Sequence, residues 1–280
     1  MLSSRLHVRR VGTRYLRLDP KVDGYARLSP SILREFVTYS VVGLASDAPA
    51  LEAKAAEVLA HVRSVSRAKL ELATGVVARI AARVAQDAAA PDAAAQDAAA
   101  HAAADDRYCI FLAGDVVFDM AHDVPRPERS TGRMVRGSDL DLVAVVDDSA
   151  PESLLQRLDE EIHQQKYRHL INPSVREEID YIVKPFARLR EQARFDSFKK
   201  MVACKILQEG RLIQGSRPLF DAAKALLDES GVTARLADLE AEATRLRAQA
   251  EQELLRADRS ALSGDDLHLF FTADESEEFE

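Results

Sequence analysis

The run Arg136-Gly137-Ser138-Asp139-Leu140-Asp141-Leu142-Val143-Ala144-Val145-Val146 constrains this chain more than any other stretch, because it sets two carboxylates at the mouth of an otherwise apolar strand. Side chains alternate faces along a strand, so Asp139 and Asp141 point the same way. Two carboxylates held that close repel each other on a half-buried strand unless a hard cation sits between them or solvent reaches them. The spacing points to a magnesium site, with a solvated turn leading into a buried strand as the plainer alternative.

The neighbouring sequence supplies context. Upstream, Tyr108-Cys109-Ile110-Phe111-Leu112-Ala113 ends in Gly114-Asp115 and is followed by a helix-like Val116-Val117-Phe118-Asp119-Met120-Ala121-His122, which reads as strand, tight glycine turn and helix. Downstream, Glu178-Ile179-Asp180-Tyr181-Ile182-Val183 alternates as a half-buried strand does and offers Asp180 as a third carboxylate.

A strand with a terminal glycine, a helix, a strand bearing Asp-Leu-Asp-Leu and a later strand with a lone Asp resemble, in that order, the polymerase-β-like nucleotidyltransferase superfamily. The resemblance spans roughly residues 108–230, and Ser138-Asp139-Leu140-Asp141-Leu142 is its sharpest element. Residues Ile206 to Ser216, with Glu209-Gly210 at their centre, resemble the helix, Glu-Gly turn and return strand of the small, minimal members.

The resemblance implies an α/β (α+β) fold: a nucleotidyltransferase core with a small mixed sheet, flanked by N- and C-terminal helices. It implies transfer of a nucleoside monophosphate from a nucleoside triphosphate such as ATP to an acceptor hydroxyl, with Mg2+ or Mn2+ as cofactor and pyrophosphate leaving. Asp139 and Asp141 would share the metal ions, and Asp180 would complete the second site and help deprotonate the acceptor. Two cations can stabilise both the incoming and the departing oxygen of an in-line displacement.

The chain departs from the family pattern in two places. Asp115 follows Gly114 where members carry a small residue that helps receive the triphosphate, and the loop between Gly114 and Asp139 is about twice the usual length. Gly137 and Ser138, with the amides around them and Gly114, are therefore the expected phosphate ligands. Arg126, Arg129, Arg133 and Arg136 in the long loop read either as acceptor or phosphate contacts or as a solvated loop balanced by nearby acids. Of Lys199, Lys200 and Lys205, Lys205 is the expected triphosphate contact.

Composition narrows the remaining classes. A chain of 280 residues with 47% hydrophobic and 30% charged residues is ordinary for a soluble globular protein with one good core and an accessory part. Cys109 and Cys204 lack metal-ligand spacing and read as buried reduced thiols of a cytoplasmic protein. No apolar run approaches the ~20 residues needed to cross a bilayer, so no membrane partner is expected. The basic N-terminus (Arg5, Arg9, Arg10, Arg14, Arg17) lacks a signal-peptide core, and a net charge of −8 disfavours indiscriminate nucleic-acid binding.

Along the chain, residues 1–28 read as a basic hairpin, with Leu6–Arg10 and Arg14–Leu18 meeting near Gly12. Residues 29–87 read as a helical region, one helix opening at Ser29-Pro30 and a longer one from about Asp47 with an apolar face running from Leu51 to Val84. A five-residue repeat, Gln or Pro followed by Asp-Ala-Ala-Ala, makes 88–105 a spacer, because that period builds no continuous apolar face. The catalytic core is expected over 106–186 and a C-terminal helical region over 187–260. The second helix of that region carries a leucine stripe (Leu236, Leu239, Leu246, Leu254, Leu255) expected to pack on the long N-terminal helix. Residues 261–280 form an acidic tail that reads as a docking peptide or a disordered end.

Two classes of function follow. The first is an enzyme acting on a protein or RNA acceptor, in a toxin–antitoxin or phage-defence setting by analogy with small relatives, or joining nucleotides into a signalling molecule. The second is a non-catalytic module, antitoxin or scaffold, that keeps the nucleotidyltransferase shape to hold a partner. In either, the flanking helices suit a helical partner or a homodimer.

Overall fold

A computed structural model describes residues 6–88, 106–128 and 130–256, so nearly all of the Asp-Ala-Ala-Ala spacer, Arg129 and the acidic tail lie outside the described residues. The chain is a mixed α/β protein. Its centre is a four-stranded sheet made of β5 (Tyr108–Ala113), β8 (Leu140–Val146), β9 (Ile179–Pro185) and β10 (Arg211–Gly215), in the order β10-β5-β8-β9. β5 runs antiparallel to both β10 and β8, whereas β8 and β9 are parallel, with Asp141 directly opposite Asp180.

Both faces of this sheet are covered, which is why β5 and β8 read as almost unbroken apolar runs rather than alternating ones. Ile110, Leu112, Leu142 and Ala144 face the long helix α2 (Ala48–Ala88), through Val76, Val77 and Ile80, and α3 (Glu152–Ile171), through Leu158 and Ile162. Cys109, Phe111, Val143 and Val145 face the other layer, formed by α4 (Phe186–Gln192), α5 (Phe198–Glu209), α6 (Arg217–Glu229), α7 (Val232–Arg256) and a hairpin of β2 (Tyr15–Leu18) and β3 (Ala26–Ser29). Asp141 shares the parity of Val143 and Val145, so the carboxylate face lies on this second side. Burial raises the Cys109 thiol to about 12 and the Cys204 thiol to about 11, which leaves both protonated. Among the described residues no helix is long and apolar enough to cross a membrane.

Four local expectations are corrected. β1 (Leu6–Arg10) pairs not with the next strand but with β4 (Ser40–Leu44), and β2 pairs with β3. The turn at Gly12 (φ 81°) serves a long-range contact: a Cβ there would lie 2.3 Å from the Met120 sulfur, and the Thr13 amide donates to that sulfur. Helix α1 (Ile32–Thr38) opens two residues later than the Ser29-Pro30 signature implies, because Ser29 completes β3 and the Ser31 hydroxyl caps the Arg34 amide. After Gly114 the chain makes only a single 3-10 turn, Asp115–Phe118, closed by Asp119 in a left-handed conformation.

The fourth correction concerns α7, which packs chiefly on the β2–β3 hairpin rather than on α2. Its buried face runs through Leu236, Ala243, Arg247 and Ala250, and Leu255 is exposed. Arg247 anchors that face by donating to the Pro30 carbonyl (3.0 Å) and pairing with Glu35 (3.2 Å) and Glu251 (2.9 Å).

The long loop before β8 contains a short ribbon, β6 (Pro125–Pro127) and β7 (Met134–Arg136), closed by Glu128. The Glu128 carboxylate accepts from the amide and hydroxyl of Ser130 (2.9 and 2.6 Å) and of Thr131 (2.7 and 2.5 Å). Burial alone would raise its pKa, but these four donors outweigh burial and lower it from 4.5 to about 2. A carboxylate depressed in the folded state contributes stability that is complete above pH ~4.5 and is lost as pH falls through ~2. Wild type should therefore resist denaturant better than Glu128→Gln at neutral pH, with the gap closing near pH 2; a gap independent of pH would contradict this role.

Candidate functional site

Two neighbouring strands deliver the carboxylates to one end of the sheet. Asp139 immediately precedes β8, Asp141 is its second residue, and Asp180 stands beside Asp141 in the parallel neighbour β9. One oxygen from each of the three lies within 4.8 Å of the others, and all three residues are partly exposed to solvent. Three hard oxygen donors at such spacing fit a divalent cation such as Mg2+ or Mn2+.

The glycines bring backbone close to this cluster. Gly114 has φ 74°, and a Cβ on it would sit 2.0 Å from Asp141 Oδ2. Gly137 has φ 61°, and a Cβ there would lie 1.8 Å from the His122 carbonyl. Neither position accepts a side chain without moving the site. The Gly114 amide donates to Glu209 Oε1 (3.0 Å), and Glu209 is paired with Lys205 (2.8 Å), which also lies 5.7 Å from the Tyr15 ring centre. Lys205 thus lies, 4% exposed, behind the glycine turn, while Lys199 is exposed and Lys200 pairs with Asp196 (2.6 Å).

Ser138 and Asp115 form a second layer. The Ser138 hydroxyl donates to Asp115 Oδ2 (2.8 Å) and accepts from the His122 amide (3.2 Å), and only 4% of the residue is exposed. Its hydroxyl is engaged with these two partners. Asp115 also accepts from the Tyr15 hydroxyl, which in turn accepts from Ser29 (3.1 Å). Burial would raise its pKa, yet the Tyr15 and Ser138 hydrogen bonds and the Arg17 charge bring it below the ordinary value. The Asp115 carboxylate ties the glycine turn to the β2–β3 hairpin and to the residue before Asp139.

Of the loop arginines, Arg126 reaches the cluster: it donates to the Gly137 carbonyl (2.8 Å) and pairs with Glu178 (2.8 Å) and Asp139 (3.4 Å). Arg133 and Arg136 are exposed. Sequence reasoning missed four neighbours: Glu178, Lys166 (2.8 Å from Asp180), and Tyr15 and Arg17 from the hairpin, Arg17 acting by its charge on Asp115 and Asp139. Only Glu178 carried a signal, since strand alternation sets it two residues before Asp180 on the same face.

The site is short of positive charge. Burial, with the neighbouring Asp180 and Asp115 charges acting against Arg126 and Arg17, raises Asp139 from 3.8 to about 6. Burial likewise raises Glu178 from 4.5 to about 7, with Asp139 and Asp180 adding to the effect against Arg126. Crowded carboxylates whose charges are not fully balanced are what a bound cation relieves.

Comparisons with protein-family models, with curated proteins and with solved structures find nothing that matches this chain.

Proposed function

We propose that the chain is a metal-dependent nucleotidyltransferase of the polymerase-β-like kind, moving a nucleoside monophosphate from a triphosphate to a hydroxyl on protein or RNA. One observation carries this reading: Asp139, Asp141 and Asp180 converge from two parallel strands beside a glycine turn. Mg2+ or Mn2+ held by those three residues would neutralise the triphosphate and polarise the phosphorus under attack.

The chain's own groups divide the remaining work. Gly114 and Gly137 lack the side chains that would collide with Asp141 and with the His122 carbonyl, so the two turns pack directly against the carboxylate cluster. Arg126, already beside Asp139, supplies a planar pair of donors for a phosphate oxygen. The Asp180 carboxylate takes the proton from the acceptor hydroxyl as its oxygen bonds to the α-phosphorus and the bond to pyrophosphate breaks. Acceptors of a toxin–antitoxin or phage-defence system, and nucleotides joined into a signalling molecule, are the candidate partners of this transfer.

A second reading rests on Arg126 and Lys166, which already pair with Asp139 and Asp180. A non-catalytic module, antitoxin or scaffold, could use such internal cations permanently. Incubation with each of the four labelled triphosphates, Mg2+ or Mn2+ and a cell extract as acceptor source separates the two. Pyrophosphate release that requires Asp141 supports the enzyme, and no release with any triphosphate supports the module.

A further inference from the structure

Among the described residues, the small β1–β4 sheet is covered on one side only. A Cβ on Gly43 would lie 3.1 Å from the Leu51 side chain, and Arg9 pairs with Glu52 (3.1 Å), so the start of α2 covers the face that bears His7, Arg9, Val41 and Gly43. The opposite face bears two cross-strand apolar pairs, Leu6 with Leu44 and Val8 with Val42. These four are 48, 53, 50 and 46% exposed. Every residue of β1 is exposed, and among the described residues no strand pairs with its outer edge. An apolar face joined to an open strand edge is a template for one further strand.

We infer that residues 267–271 of this same chain add to β1 as that strand. Helix α7 is held at the Arg10 end of β1, where Arg10 pairs with Glu251 (3.1 Å). Arg256 follows five residues later, about 7.5 Å along the helix. Residues 257–264, fully extended, span up to roughly 28 Å, enough to reach and align with a five-residue strand of about 17 Å.

Chain direction and pattern then agree. A segment arriving from the Arg10 end runs antiparallel to β1 and sets Leu267, Leu269 and Phe271 opposite Arg10, Val8 and Leu6, extending the exposed apolar face. Charge agrees as well. Residues 257–280 contain eight Asp or Glu and one Arg, so nearly all of the chain's net −8 resides there. At the Arg10 end, Arg10, Arg14 and Arg247 share, among the described residues, only Glu35 and Glu251, which leaves a surplus positive charge beside the incoming Asp265 and Asp266.

The test uses the full chain. Hydrogen exchange of the Leu6–Arg10 amides is measured in wild type and in a Leu267→Ser/Leu269→Ser/Phe271→Ser variant. Exchange about tenfold faster in the variant is expected, and equal exchange overturns the proposal. In parallel, a Val8→Cys/Leu269→Cys variant should form an intrachain disulfide in a monomer, since Cys109 and Cys204 are buried and do not compete. A disulfide only between chains, or a concentration-dependent dimer lost with the triple substitution, would assign the face to a second copy and overturn the intrachain assignment.

Discussion

Asp141→Asn should reduce nucleotide turnover by about a thousandfold while leaving the protein at least as stable as wild type. The substitution keeps the shape but removes one of three charged oxygen donors, and loss of roughly 4 kcal/mol of transition-state stabilisation corresponds to that factor. The stability half follows from geometry, since Asp141 is one of three carboxylates whose oxygens lie within 4.8 Å of one another. Removing one negative charge relieves repulsion that the folded state bears. Steady-state pyrophosphate release and thermal unfolding, run on the same preparations, check both halves. A variant that turns over normally would move the chemistry elsewhere, and one that is inactive because it is unfolded would show that Asp141 is needed for the fold.

The largest stability effect is expected at Glu35. This buried carboxylate binds Arg14 through two hydrogen bonds (2.6 and 2.8 Å), Arg10 at 3.0 Å and Arg247 at 3.2 Å. Arg247 is itself buried, and burial draws its pKa down against the pull of the carboxylates. Glu35→Ala would strand these guanidinium groups with only Glu251, an effect of about 3–5 kcal/mol because an unpaired buried charge is costlier than the pair is favourable. Denaturant titration should give a lower midpoint with an unchanged slope. By contrast, Asp221→Ala breaks an exposed pair with Arg217 (2.8 Å) and should change stability by less than about 1 kcal/mol. Equal effects at the two positions would contradict the anchoring role of the buried network.

The carboxylate cluster was legible because its information is local. Asp141 and Asp180 belong to strands whose alternation fixes the face, Asp139 stands immediately before the first of them, and the parallel pairing of β8 with β9 brings the two strands into register. The second layer was not legible, since Tyr15 meets Asp115 a hundred residues away and Arg247 meets Glu35 over 212. Such contacts leave no period in the sequence. Gly12 misled for the same reason: it reads as a hairpin turn, whereas it makes room for Met120. The leucine stripe of α7 misled differently, because a buried arginine occupies the centre of the face that packs. Asp115 read as an obstacle to phosphate, yet its carboxylate is held by Tyr15 and Ser138, where it supports the turn.

The central claim is that Asp139, Asp141 and Asp180 together hold a divalent cation. Calorimetric titration of Mn2+ into the wild-type protein and into an Asp139→Asn/Asp180→Asn variant tests it without any assumption about substrate. The expected result is saturable binding in wild type that is lost in the variant, with the variant still folded. Equal binding by both proteins, or none by wild type even with a triphosphate present, would contradict it.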